Sequence, residues 1–213
     1  MNDTTLHLFV TDKCPNSCPL CCNKEYNIDA IPVVTVRELQ ESKIVCITGG
    51  DPLEMPFGCH VLQFIHFLRN QYRNIEKLYL YSSGIYFGNE QDHLRWKAVF
   101  PPRMFGNSRI DGFSWGPKST KDWNGLINFQ EEYKHLHSHD GIDYYEPECD
   151  NIVPTENRLY VFPEWRQTFE EIIMRNPDFC KNLHANIIFR EWQSPFIPAP
   201  NTIFRRLPIL LSL

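Results

Sequence analysis

The chain has 213 residues, of which 42% are hydrophobic, 14% aromatic and 22% charged, with a formal net charge of −5. That length suits one domain able to bury roughly 70% of its unfolded surface, and the acidic balance excludes a nonspecific nucleic-acid binder, which needs a basic surface. No run approaches the about 18 apolar residues of a membrane-spanning helix, and Ile209 to Leu213 is short enough to read as a docked tail.

The elements follow in chain order. Thr4 to Val10, β-branched and apolar, is the first strand. It delivers a loop of cysteines, after which Asn23 to Pro32 is polar and irregular. Thr35-Val-Arg-Glu38 has the spacing of a capping box, opening a short helix that reaches about Ser42. Lys43 to Thr48 is a second strand, continuous in apolar residues as a strand buried on both faces should be, and it runs into Gly49-Gly50. Pro56 to Arg73 is a helix with Val61, Leu62, Ile65 and Leu68 on one stripe. Lys77 to Ser82 is the third strand, ending at Ser83-Gly84, and a helix is expected over Glu90 to Val99. Ile110 to Trp115 is the fourth strand, leading into Gly116-Pro117-Lys118-Ser119; Ser119 to Asp122 starts a helix carrying Trp123, Leu126, Ile127 and Tyr133. Asp140 to Asn157 is acidic and turn-rich. Arg158 to Phe162 is the fifth strand, Pro163 suits the first turn of the helix bearing Phe169, Ile172 and Ile173, and His184 to Phe189 is the sixth strand.

Six strand–helix alternations predict parallel strands joined by right-handed crossovers. They are too few for a closed eightfold barrel, so the expected fold is α/β, an open partial (β/α)6 TIM-like barrel over 1–194. Residues 195–213, with Pro195, Pro198, Pro200 and Pro208, are expected to be an extended C-terminal tail. In such a fold chemistry gathers beyond the C-terminal ends of the strands. The cysteine loop, Gly49-Gly50, Ser82-Ser83 and Lys118 all fall there, from four different strands.

The cysteines have a pattern. Cys14-Pro-Asn-Ser-Cys18-Pro-Leu-Cys21 places three thiols on one short loop. That spacing can seat three thiolates on a cubic iron–sulfur cluster and leave the fourth iron without a protein ligand. Eight cysteines occur in all, four of them between Cys14 and Cys22. Their uneven placement, with no basic start and apolar run after Met1, points to a reducing cytoplasm rather than a disulfide framework. Cys22, Cys46, Cys59, Cys149 and Cys180 read as structural, so a single cluster is expected.

The trio resembles the CxxxCxxC signature of the radical SAM superfamily. Thr48-Gly49-Gly50-Asp51-Pro52 resembles that family's GGEP segment, and Tyr81-Ser82-Ser83-Gly84 falls where the family often has a polar, ribose-contacting turn. The resemblance spans roughly Thr5 to Ser119. It departs at Leu20, where the family usually has an aromatic residue, and at Asp51, one methylene shorter than glutamate. The resemblance implies the same partial-barrel fold, a [4Fe-4S] cluster on Cys14, Cys18 and Cys21, and S-adenosylmethionine chelating the open iron. In the family, an electron from the cluster cleaves the cofactor to methionine and a 5′-deoxyadenosyl radical, which removes hydrogen from substrate carbon. It further implies that Gly49, Gly50, Asp51 and Pro52 meet the cofactor's ammonium, that Ser82 and Ser83 meet its ribose, and that Ser114 and Lys118 meet its carboxylate or ribose.

Each reading has a plainer counterpart. Three cysteines can make a zinc knuckle, which wants a fourth ligand, and Cys18 with Cys21 can form a redox pair that ignores Cys14. His135-Leu-His137-Ser-His139 suggests a second metal site only if extended; on a helix, positions two apart do not converge. Trp115, Tyr79, Tyr81 and Trp192 are candidates for aromatic walls, and Arg190 for an anionic group of the substrate. The short chain resembles compact members such as 7-carboxy-7-deazaguanine synthases, acting on small polar or heterocyclic molecules, with a flavodoxin- or ferredoxin-type electron donor and no membrane. The alternatives are an activating enzyme that makes a radical on a protein partner, and, from another class, a non-catalytic zinc-binding adaptor.

Overall fold

Seven strands hydrogen-bond into one sheet, in the order β6-β5-β4-β3-β2-β1-β7, and every neighbouring pair is parallel. The computed structural model describes residues 4–16, 18–19, 21–25, 27–54, 57–87, 110–137, 156–191 and 200–207. The strands are β1 (Thr5–Thr11), β2 (Ile44–Gly49), β3 (Lys77–Ser82), β4 (Gly112–Trp115), β5 (Asn157–Val161), β6 (Ala185–Phe189) and β7 (Thr202–Arg206). The helices are α1 (Val36–Glu41), α2 (Phe57–Gln71), α3 (Thr120–His137), α4 (Arg166–Arg175) and the short α5 (Phe179–Asn182). The helix expected over Glu90 to Val99 and most of the acidic stretch from Asp140 lie outside the described residues. No helix among the described residues is long and apolar enough to cross a membrane.

Local chemistry sets the helix starts. Thr35 Oγ1 accepts the Glu38 N–H at 3.2 Å while the Glu38 carboxylate accepts the Thr35 N–H at 2.9 Å, completing the predicted capping box at α1. At α3, Ser119 Oγ accepts the Asp122 N–H at 3.2 Å, satisfying one of the orphan donors of the first turn.

The period of two along each strand separates the sheet's faces. Leu6, Leu8 and Val10 of β1, Val45 and Ile47 of β2, Leu78 and Leu80 of β3, Phe113 and Trp115 of β4, and Leu159 and Val161 of β5 are each at most 1% exposed. They form one core with Val61, Ile65 and Leu68 of α2, Trp123, Leu126 and Phe129 of α3, and Phe169 and Ile172 of α4. The alternate positions include His7, Phe9, Cys46, Thr48, Tyr79, Tyr81, Ser114, Arg158 and Tyr160. One face is thus apolar and roofed by helices, the other polar and aromatic. Strands β1 to β6 lie side by side in chain order, so right-handed crossovers put their helices on one side, which is the apolar side.

Buried polar groups tie the layers together. Asn157, fully buried, accepts the Phe113 N–H and donates to the Leu183 carbonyl, each at 2.8 Å, joining β4, β5 and the end of α5. At the end of α2, Arg69 donates to the Ile75 carbonyl at 3.0 Å and pairs with Asp111, whose carboxylate also accepts the Leu78 N–H at 2.7 Å.

The sheet has one strand more than the six expected. Thr202 to Arg206, inside the stretch read as a tail, pairs with β1 from Thr5↔Thr202 to Phe9↔Arg206. Two successive arginines between Pro200 and Pro208 resemble a solvated tail. Here Arg205 pairs with Glu38 of α1 at 2.6 Å, and the Arg206 backbone exchanges hydrogen bonds with Pro32 and Val34. This stretch is therefore part of the sheet, and β6 and β7 are its two edges.

Candidate functional site

The glycine pair after β2 is held against the stem of the cysteine loop. Gly50 N–H donates to the Thr11 carbonyl at 2.6 Å, and Asp51 N–H to the Lys13 carbonyl at 2.8 Å. A Cβ on Gly50 would lie 1.8 Å from the Lys13 carbonyl oxygen, and one on Gly49, whose φ is +144°, would lie 2.2 Å from that of Thr11. Only glycine permits so close a backbone approach. The Gly49 carbonyl accepts from the Asn23 side chain at 2.9 Å, which fixes the far side of the loop.

Asp51 turns inward. Its carboxylate is fully buried, with Pro52 buried behind it. It accepts the Ser83 N–H and Ser83 hydroxyl at 2.9 Å each, the Ser82 hydroxyl at 3.1 Å, and the Leu53 N–H at 3.1 Å. Burial pushes its carboxyl up to about 6, against the hydrogen bonds from Ser83, Leu53 and Ser82 that favour the charged form. The hydroxyls expected to face a ribose are thus already donated to Asp51, which ties the end of β2 to the end of β3.

Asn16, between the first two cysteines, donates to both oxygens of Asp122 at 2.9 Å. Asp122 is fully buried in the first turn of α3 and also accepts the Lys118 N–H at 2.8 Å. Lys24 Nζ donates to the Cys18 carbonyl at 2.7 Å. The loop is therefore held by β2 at its stem, by α3 in its middle and by Lys24 beyond it. Lys118 Nζ lies 5.4 Å from the centre of the Phe162 ring, and its charge reaches both Cys14 and Cys18.

Cys14, Cys18 and Cys21 are in no disulfide, Cys18 buried and the others partly so. Burial pushes the Cys14 thiol up to about 12 and raises Cys18, and each of these thiols feels the charge of the next cysteine in the motif. Among the described residues, no three histidine, cysteine or acidic side chains gather closely enough to hold a metal ion. A tetrahedral zinc needs its sulfurs about 3.8 Å apart, whereas a cube seats each thiolate on its own iron. What suits a cluster here is the donor set, three soft sulfurs on one anchored loop. What suits an organic cofactor is Ser114, a residue 1% exposed on the polar face whose buried hydroxyl has no hydrogen-bond partner among the described residues. A buried hydroxyl left so is costly, and an oxygen of a bound ligand would satisfy it.

The site thus brings together Cys14, Cys18, Cys21, Gly49, Gly50, Asp51, Pro52, Ser82, Ser83 and Lys118 at one end of the sheet. Trp115 is not a wall of it: its ring stacks 5.1 Å from Phe113 in the helix-covered core. Tyr79 and Tyr81 are on the polar face. Arg190 follows β6, with its guanidinium 5.7 Å from the Tyr160 ring centre. Helix α3 runs from Thr120 to His137; His139, Trp192, Leu20 and Cys149 lie outside the described residues. Sequence reasoning passed over Asn16, Asn23, Asp122, His7 and Arg158. A signal existed for the last two: a charged or titratable residue at the period-two positions of an otherwise apolar strand.

No family model matches the chain, and the search of curated proteins found no match.

Proposed function

We propose that the protein is a radical SAM enzyme in which Cys14, Cys18 and Cys21 hold one [4Fe-4S] cluster beside a site for S-adenosylmethionine. The observation that carries this reading is the arrangement of the loop. Its stem lies on Gly50-Asp51, whose N–H groups donate to the Thr11 and Lys13 carbonyls, and its middle is pinned by Asn16 to Asp122. Three motifs that sequence spacing alone relates are thus in direct hydrogen-bonded contact or one residue away from it. The sheet is read as an open partial barrel. Its first six strands follow one another in chain order and the seventh adds beyond β1, so a sheet curling on its polar face opens only between β6 and β7.

When bound, the cluster and S-adenosylmethionine supply reductive cleavage of the cofactor and a 5′-deoxyadenosyl radical that takes hydrogen from substrate carbon. The chain's own contribution is positional. Gly49, Gly50 and Asp51 hold the loop, Asp51 orders Ser82 and Ser83, and Ser114 offers its hydroxyl to the ligand. Lys118 supplies positive charge beside Cys14 and Cys18. Tyr79 and Tyr81 line the polar face with side chains that exclude water. The substrate is a small polar or heterocyclic molecule and the electron donor a flavodoxin- or ferredoxin-type protein; a radical made on a protein partner is the competing use of the same chemistry.

Anaerobic reconstitution with ferrous iron and sulfide tests the proposal. The expected product is brown protein with about four irons per chain, and Cys14→Ala, Cys18→Ala and Cys21→Ala each lose it. Colourless protein with one tightly held zinc would overturn the proposal in favour of a zinc-binding adaptor.

A further inference from the structure

The polar face of the sheet carries cations that the site above does not use. Arg158 in β5 pairs in register with Ser114 on one side and Asn186 on the other. Its guanidinium is half-buried and lies 4.1 Å from the centre of the Tyr79 ring. Among the described residues no hydrogen bond or ion pair holds it. Glu156 is the nearby carboxylate whose charge it feels, but that side chain already accepts the Tyr79 hydroxyl at 2.8 Å and pairs with Lys77. Arg190, just after β6, has its guanidinium 5.7 Å from the centre of the Tyr160 ring of β5.

His7 completes the group. Its ring is 5.6 Å from Tyr81 and 4.9 Å from Phe204 of β7, and Tyr81 lies near-parallel to Tyr160 at 6.3 Å. Burial, with Arg158 and Arg190 nearby, holds His7 down at about 4, so its imidazole is neutral at pH 7. A half-buried guanidinium without a hydrogen-bonding counter-charge is expensive. Its planar fork matches an oxyanion in two parallel hydrogen bonds, and an aromatic cluster of Tyr79, Tyr81 and Tyr160 borders it on the same face.

We propose that the polar face, centred on Arg158 with Arg190 beside it, binds a small planar organic anion, one aromatic or heterocyclic ring bearing a carboxylate or a phosphate. Arg158 takes the oxyanion, the stacked Tyr81–Tyr160 pair borders the ring on one side, and the neutral His7 offers a hydrogen bond without adding charge. The proposal rests on the function above for the reaction the anion undergoes, but not for its binding.

The test is binding of benzoate, phenyl phosphate and the neutral benzamide to the purified full chain, cluster-free and reconstituted, followed by ligand-observed NMR at pH 7. At least one anion is expected to bind 10-fold or more tightly than benzamide, and which anion prevails identifies the oxyanion. Arg158→Gln is expected to lose at least 10-fold in that affinity, and Arg190→Gln, an exposed position that leaves folding intact, at least 3-fold. The surface variant Arg37→Gln should bind as the parent does. Equal binding of benzamide and both anions, or unchanged anion affinity in Arg190→Gln and in a folded Arg158→Gln, overturns the proposal. Loss of the cluster with anion binding retained would sink the enzymatic reading alone, and a cluster without anion binding would sink this one alone.

Discussion

The Asn16 side-chain amide donates to both carboxylate oxygens of Asp122, 106 positions further along the chain, at 2.9 Å each. Asp122 is fully buried, so its charge depends on Asn16 and the Lys118 N–H for replacement of its water shell. One hydrogen-bonded pair thus settles where the loop between Cys14 and Cys18 lies over α3.

Asn16→Ala removes that amide and leaves a buried carboxylate under-satisfied, a loss of about 1–3 kcal/mol. The expected outcome is a lower Tm together with a several-fold drop in iron bound after reconstitution. A variant with the parent's Tm and iron content would show that the loop is held by its other contacts.

Gly50→Ala drives a Cβ to 1.8 Å from the Lys13 carbonyl oxygen, a backbone atom that cannot swing aside. Overpacking of this kind costs typically about 1–3 kcal/mol, and here the upper end is expected, seen as a fall in the urea midpoint. Gly116→Ala is the control. Its Cβ would meet only the Phe162 ring edge at 3.7 Å, an ordinary contact, and stability should stay within about 0.5 kcal/mol.

Asp51 gives the protein a pH signature. Burial raises its folded-state carboxyl to about 6, so the native state keeps the proton to higher pH than the unfolded chain. The stability this confers is complete below the unfolded value of about 3.9 and is lost as pH rises towards 6. The shift of about two units corresponds to something on the order of 3 kcal/mol. Unfolding in urea at pH 4 to 7 should show the parent losing stability across that window relative to Asp51→Asn. Parallel profiles would mean that the carboxyl titrates normally.

Ser114 separates folding from binding. Its buried hydroxyl has no partner among the described residues, so Ser114→Ala should leave Tm equal to the parent's or higher. S-adenosylmethionine affinity, read by calorimetry on the reconstituted protein, should fall several-fold. Unchanged affinity would remove Ser114 from the cofactor site.

Much of the architecture was legible because each buried strand is a short β-branched or apolar run followed by a helix signal. In β2, Ile44 to Ile47 is apolar apart from a cysteine, and the adjacent glycine turn ends the run too soon for a helix. The capping box at Thr35 was readable because its partners are three residues apart. Strand β7 was not, since Arg205 finds Glu38 and Arg206 finds Pro32 only after the chain has folded back. The glycine pair was legible as a motif, but not what packs against it: the Lys13 carbonyl lies far earlier in the chain and carries no sequence mark. Asp51 is expected at a cofactor from its motif alone; that its carboxylate also accepts from Ser82 and Ser83 of the next strand could not be read, since those donors lie 31 and 32 positions away.

The central claim is tested most directly by reducing the reconstituted protein with dithionite under anaerobic conditions in the presence of S-adenosylmethionine and assaying 5′-deoxyadenosine. The proposed function predicts that the nucleoside accumulates with intact protein and is absent from Cys14→Ala, Cys18→Ala and Cys21→Ala. Cluster-loaded parent protein that leaves S-adenosylmethionine uncleaved would contradict it.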